Sequence, residues 1–161
     1  MSFDARDFRR ALGQFPTGVG IVTTLDSQGA PVGMTISSFN SVSVTPPLVL
    51  WSIDRSALSA DLFRTTEYFA VNILAADQIA LSNRFASRGE DKFQDVAWSA
   101  GEHGSPLLPD VAALFECRNW AQYDGGDHWI IVGEVLRYSY EATKPPLVFG
   151  QGGYATMVKA G

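Results

Sequence analysis

GMTISSFNSVS, residues Gly33 to Ser43, opens with a residue that has no side chain, alternates small hydroxyls with apolar residues, and carries no charge. A plain buried strand would fill these positions with Val, Ile and Leu, and a plain surface strand with Lys and Glu. Two readings fit the residues: a polar edge strand, or a strand against which a flat, polar-edged ligand lies. On the second reading Gly33 lets the ligand approach the backbone closely. The hydroxyls of Thr35, Ser37 and Ser38 can then donate to phosphate or ring oxygens without adding bulk.

The flanking sequence sets this stretch in a β context. GVGIVTTL, Gly18 to Leu25, is rich in β-branched residues, DSQG at Asp26 to Gly29 is turn chemistry, and PVGMTIS from Pro31 completes a predicted hairpin. PPLVLWSID, Pro46 to Asp54, is a continuous apolar run and predicts a strand covered on both faces. YFAVNIL, Tyr68 to Leu74, predicts another strand. Ala112 to Tyr123 and His128 to Tyr140 predict two long strands joined by DGGD, Asp124 to Asp127, and a last short strand, PLVFG, comes at the double proline Pro145–Pro146.

Three helices are expected. The first spans Asp4 to Phe15, with Phe8, Ala11, Leu12 and Phe15 on one face and Pro16 as its stop. A short one holds Leu58, Leu62 and Phe63 and is capped by Ser56. The third spans Ala76 to Ala86, with Ile79, Ala80 and Asn83 on one side. Ser87 to Pro109 reads as a long loop, the kind that is functional or packed on a partner. Strands outnumber helices and follow one another through short turns, which predicts an antiparallel barrel or sandwich with a few outer helices. A doubly wound sheet would alternate strand and helix.

The totals exclude several classes. A chain of 161 residues, 46% hydrophobic and 18% charged, suits one globular domain, here 1–161, with a sizeable core. A net charge of −5 without a basic run argues against nucleic acid and acidic membranes as partners. The single cysteine, Cys117, cannot form an intramolecular disulfide. MSFDARDFRRALGQF lacks the apolar centre and cleavage site of a signal peptide, and no run of about 18 apolar residues occurs. A soluble cytoplasmic protein is expected.

The chemistry narrows in the same way. Two histidines, His103 and His128, and one cysteine make a metal site unexpected. A Ser–His–Asp triad has no G-x-S-x-G elbow, and Asp127 adjoins His128 in sequence, poor geometry for orienting its ring. Cys117, between Glu116 and Arg118 in mid-strand, reads as a small buried hydrophobe. GVG at Gly18 to Gly20 continues into a strand, so any dinucleotide here is held without a Rossmann unit.

Several motifs in order then carry a resemblance: PTGV at Pro16 to Val19, GMTISSFNSVS, PPLV at Pro46 to Val49, YFAVNIL, NRFA at Asn83 to Ala86, GDHWIIVGEV at Gly126 to Val135, and PLVFGQGGY at Pro146 to Tyr154. Over nearly the whole chain the sequence resembles the flavin reductase family, the small reductases that supply reduced flavin to two-component monooxygenases. The resemblance implies a Greek-key split β-barrel, the FMN-binding split barrel, as a homodimer. It implies FMN or FAD as flavin, NADH or NADPH as hydride donor, and a separate monooxygenase as partner. It places the flavin against Gly33, Met34, Thr35, Ile36, Ser37 and Ser38, against Ser52, Ile53, Asp54 and Ser59, and against Phe85, Ala86, Ser87 and Arg88. It places His128 beside the nicotinamide, with Tyr154 as a second residue on that side.

The physics agrees with these roles. Reduced flavin carries negative charge near N1 and O2, which fixed backbone donors stabilise. Arg84, Arg88 and Lys92 are the cations near the loop, and the flavin phosphate is expected to use one of them. A non-catalytic flavin carrier or sensor, and a structural barrel whose small-residue strand is a dimer edge, are the competing classes.

Overall fold

The computed structural model describes residues 2–89 and 91–161. Along them the chain forms α1 (Ala5–Leu12), β1 (Thr17–Gly18), β2 (Gly20–Leu25), β3 (Pro31–Ile36), β4 (Asn40–Ser43), β5 (Leu48–Asp54), α2 (Ala60–Thr65), β6 (Tyr68–Ile73) and α3 (Ile79–Ala86). It continues with β7 (Ser99–Ala100), β8 (Pro106–Leu107), β9 (Ala113–Gly125), β10 (His128–Tyr140), β11 (Leu147–Gly150) and β12 (Gly153–Thr156).

Seven strands make one antiparallel sheet in the order β3-β2-β6-β9-β10-β5-β4, beside small sheets β1-β11-β12 and β7-β8. The two edges of the large sheet, β3 and β4, are consecutive in sequence and joined only by Ser37, Ser38 and Phe39. The four chain steps from Ile36 to Asn40 span at most roughly 14 Å, so the sheet must curl until its edges nearly meet. No ladder pairs β3 with β4. The barrel is therefore left open along one seam, and GMTISSFNSVS is two strands that flank the opening rather than one.

The core fills the barrel from alternating positions. On β5, Val49, Trp51 and Ile53 are buried, while Leu48, Leu50 and Ser52 are only half covered. This corrects the expectation of cover on both faces: one face of β5 lines the core and nothing packs fully on the other. Trp51 meets Phe63 edge-on at 5.2 Å and Phe69 at 5.9 Å, geometries that suit the ring quadrupoles. A second cluster, with Val19, Ile21, Leu74, Phe85, Phe93 and Leu147, lies under α3.

The helices differ from expectation in instructive ways. Asp4 caps α1 by accepting from Arg6 N at 2.9 Å and Asp7 N at 3.2 Å, yet α1 buries no residue, and Phe8 and Leu12 stay exposed. At α2 the cap position falls to Ser59, without a side-chain bond, because Ser56 instead gives its N–H and hydroxyl to Asp54 Oδ1 at 2.8 and 2.7 Å. On α3 the buried residues are Ser82 and Phe85, not Ile79, Ala80 and Asn83, and Ile79 faces solvent. The expected loop from Ser87 to Pro109 holds the short β7–β8 ladder. It packs on its own barrel: Thr23 donates to Pro106 O at 2.6 Å, and Leu108 N donates to the buried Asn72 Oδ1 at 2.9 Å. No helix among the described residues is long and apolar enough to cross a membrane.

Candidate active site

The site begins with the phase of a ladder. In the β2–β3 hairpin, Gly29 N donates to Asp26 O at 3.0 Å and Asp26 N donates to Ala30 O at 2.9 Å, with Gly29 at φ +77°. Bonded pairs recur at every second residue of an antiparallel ladder. Counting from Ala30 in the observed register, Val32, Met34 and Ile36 bond to β2. Gly33 and Thr35 therefore turn their N–H and C=O groups to the open seam. Pro31, which has no N–H to offer, stands at another outward position, where an edge strand tolerates it.

A cleft of about 620 Å³ runs along this edge. Its floor is Pro31 to Thr35. One wall is the loop after β5, with Asp54, Ser56, Ala57, Leu58 and Ser59, and the other is the end of α3 and its continuation, with Phe85 to Gly89 and Asp91 to Phe93. Of the residues expected at the flavin, the cleft brings together Gly33, Met34, Thr35, Asp54, Ser59, Phe85, Ala86, Ser87 and Arg88.

The others lie elsewhere. Ile36 and Ile53 are buried in the barrel core. Ser38 Oγ accepts from Ser52 N at 2.9 Å and donates to Ser52 O at 3.2 Å, a stitch that holds the chain between β3 and β4 to β5. Ser37 is exposed beyond the end of β3. Tyr154 braces α3 from behind: its hydroxyl donates to Asn83 Oδ1 at 2.9 Å and shares a 2.7 Å hydrogen bond with Ser82 Oγ. Ser82 O in turn accepts from Thr35 Oγ1 at 2.7 Å, which ties α3 to the cleft floor.

Gly33 has a reason beyond ligand approach. A Cβ there would sit 3.0 Å from Phe85 Cε1 and 3.3 Å from Phe93 Cε2. The space above its Cα is taken by two rings of the protein, so the missing side chain lets α3 close onto β3.

His128 stands at the start of β10, paired with Asp54 of β5. Its ring lies outside the cleft lining, one strand over from it. The Asp54 carboxyl is held below its usual range by the Ser56 hydroxyl first and the Ser56 N–H next, with smaller attractions from His128 and Arg88. Contrary to the sequence expectation, Asp127 does reach its neighbour: Oδ1 is 2.7 Å from His128 Nδ1.

The three cations separate. Arg84 donates through Nε to Lys92 O at 2.6 Å and through Nη2 to Gln94 O. Lys92 donates to Phe85 O at 3.0 Å, and burial pushes its ammonium below the usual value. Arg88 is exposed on the cleft wall. Sequence reasoning missed Ser56, Leu58 and Phe93 as lining. The Asp54-x-Ser56 spacing, a local side-chain-to-backbone turn, was the available signal for the first. A lone aromatic in the charged run EDKFQD was the signal for the last.

The donor set fits a flavin. Backbone N–H groups turned to the seam would suit a polar ring edge, Met34 and Leu58 offer apolar surface, and the exposed Arg88 would suit an anionic tail. The volume lies in the usual range for cofactor sites, about 300–1,000 Å³. No group of three or more His, Cys, Asp or Glu among the described residues is placed to hold a metal.

Comparison with known proteins agrees with this geometry. Residues 12–157 match the family model of the flavin reductase like domain. The chain is 46% identical over 151 residues to the FMN reductase (NADH) SmoA of Agrobacterium fabrum, covering 94% of this chain and 85% of that protein. It is 40% identical over 153 residues to HsaB, the reductase subunit of a flavin-dependent monooxygenase of Rhodococcus jostii, covering 95% and 78%. The structure of the Streptomyces globisporus NADH:FAD oxidoreductase SgcE6 in complex with NAD and FAD fragments matches with a TM-score of 0.92 at 37% identity, over 96% of this chain and 93% of that one. The chain belongs to the flavin reductase family and has its split β-barrel fold.

Proposed function

We propose that this flavin reductase takes a hydride from NADH or NADPH, passes it to FMN or FAD, and releases reduced flavin to a separate monooxygenase. The observation that carries the reading is the open edge of β3 inside the cleft, with Arg88 on one wall. The names of SmoA, SgcE6 and HsaB support the donor, the flavin and the kind of partner.

Bound flavin supplies the hydride acceptor, its N5. The chain's share is binding and positioning, since hydride transfer needs close, aligned atoms rather than acid–base chemistry. The N–H groups of Gly33 and Thr35 meet the ring edge where negative charge develops, at about 1.5–3 kcal/mol for each charge-assisted bond. Met34 and Leu58 cover the ring and exclude water, and the buried Phe85 backs the floor at Gly33. Arg88 binds the phosphate, with Ser59 and Ser87 beside it. Ile36, Ser38, Ser52 and Ile53 support the floor from behind, and the exposed Ser37 borders its far end. His128 orients the nicotinamide, and Tyr154 holds α3 in place.

The same proposal includes a single domain, a cytoplasmic setting and a homodimer. The dimer is supported by apolar surface that the lone chain leaves exposed, on α1 at Phe8 and Leu12 and on the outer end of β10 at Tyr138 and Tyr140. Sedimentation tests it: a fully active monomer at micromolar concentration refutes the dimer. Mixing the flavin-loaded protein with NADH, then NADPH, tests the activity. Rapid loss of flavin absorbance supports the enzyme, and unreduced bound flavin supports a carrier instead.

A further inference from the structure

The turn between β9 and β10 is only Gly126–Asp127, with Gly126 at φ +78°, the requirement of a type II′ hairpin turn. Along a strand, neighbours point to opposite faces. Asp127 is in the turn and escapes that rule, so its carboxylate folds onto the next ring, with Oδ1 2.7 Å from His128 Nδ1.

Arg55 fastens the turn from the other side. Its N–H donates to Asp127 O at 2.9 Å, its Nε to Gly126 O at 2.8 Å, and its Nη2 to Asp124 Oδ1. Its guanidinium lies 3.8 Å from the centre of the Trp129 ring. Arg55 sits between Asp54 and Ser56, both in the cleft wall. The hairpin tip that carries His128 is thus anchored to the cleft. Two carboxylates neighbour the imidazole, and they have different partners. Asp54 Oδ1 is occupied by Ser56, which leaves Asp127 as the carboxylate that bonds the ring.

We propose that Asp127 is a positioning residue for hydride transfer. By accepting from Nδ1–H it fixes the tautomer and rotation of His128 and leaves Nε2 as an acceptor for the carboxamide N–H of the nicotinamide. The proposal rests on the hydride-transfer reading above, and its test has an arm that needs no turnover. The Asp127 side chain is 91% exposed, so substituting it removes little packing.

The chain has only two histidines, and His103, stacked on Tyr68 at 4.0 Å, serves as an internal reference. Nitrogen-15 NMR of histidine-labelled protein should show His128 as the Nδ1–H tautomer in the wild type and in Asp127→Asn, whose amide oxygen can accept the same bond. Asp127→Ala should lose that tautomer. In single-turnover reduction by NADH, Asp127→Ala should be slowed up to about tenfold, the effect of one hydrogen bond, with unchanged flavin affinity. Adding it to His128→Ala should cost nothing further. An unchanged tautomer in Asp127→Ala, or a full additional loss in the His128→Ala background, overturns the proposal. A wild-type protein that never reduces flavin overturns the activity and with it the nicotinamide role, whereas the tautomer result stands separately.

Discussion

Arg88→Ala separates recognition of the flavin's phosphate from recognition of its ring. Of the three cations near the cleft, Arg84 is bonded to the carbonyls of Lys92 and Gln94, and Lys92 is bonded to the carbonyl of Phe85. Arg88 is the cleft cation with no such bond among the described residues. A charge-assisted hydrogen bond is worth about 1.5–3 kcal/mol. Exposed ion pairs are worth only about 0–1, and Arg88 is exposed. An intermediate figure of about 1–2 kcal/mol corresponds to a five- to thirtyfold rise in Kd for FMN. Riboflavin has the same ring and no phosphate, so its Kd should move less than about twofold. Fluorescence titrations of both ligands against both proteins measure this. Raising salt from 0.01 to 1 M, which shortens the Debye length from about 30 to 3 Å, should shrink the FMN difference. If FMN binds Arg88→Ala as tightly as the wild type, or if both ligands weaken equally, Arg88 is not the phosphate residue and the cleft's polarity has been misassigned.

Other outcomes follow from the same structure. In Gly133→Ala the new Cβ would stand 2.5 Å from Phe69 Cζ and 3.1 Å from Cys117 Cβ in a filled core, so urea melts should show a loss of about 1–3 kcal/mol. His128→Ala should leave flavin affinity unchanged and slow hydride transfer by up to about tenfold; a loss of several thousandfold would mean a chemical role. Burial pushes the Cys117 thiol up to about 12, so the folded state keeps a proton that the unfolded chain releases near its ordinary value of about 8.5. Stability should therefore fall as pH rises from that value toward about 12, by about 1.4 kcal/mol per pH unit at most, and Cys117→Ala should flatten the slope in denaturant melts at stepped pH.

The sequence carried the strands well because β-branched runs and turn residues are local signals. The β2–β3 hairpin is where GVGIVTTL, DSQG and PVGMTIS put it. What failed depended on distant partners. The apolar face of α1 looked like a core face, but burial is decided by what packs on a helix, and among the described residues only Phe3 stacks on Phe8 there, which leaves no residue of α1 buried. The buried side of α3 was missed because Ser82 is polar, and only the fold reveals that its carbonyl meets Thr35 and its hydroxyl meets Tyr154. GMTISSFNSVS read as one strand because its composition is continuous. The break at Ser37 to Phe39 follows from closure of a sheet whose two edges the stretch supplies. Within the site, Gly33 was legible as a close approach but not as one made by Phe85 and Phe93. Asp127 looked poorly placed to orient the His128 ring because the two adjoin in sequence, yet the bond exists because Asp127 lies in the turn.

The central claim, that the cleft along the free edge of β3 binds flavin for reduction by a nicotinamide, is tested most directly by anaerobic stopped-flow spectroscopy. Protein loaded with FMN, and separately with FAD, is mixed with NADH and then with NADPH over a range of concentrations. The account predicts a single-turnover loss of visible flavin absorbance whose rate saturates with at least one of the two donors. Flavin that is bound, by fluorescence titration, yet stays oxidised with both donors would contradict it and leave a carrier of the same fold.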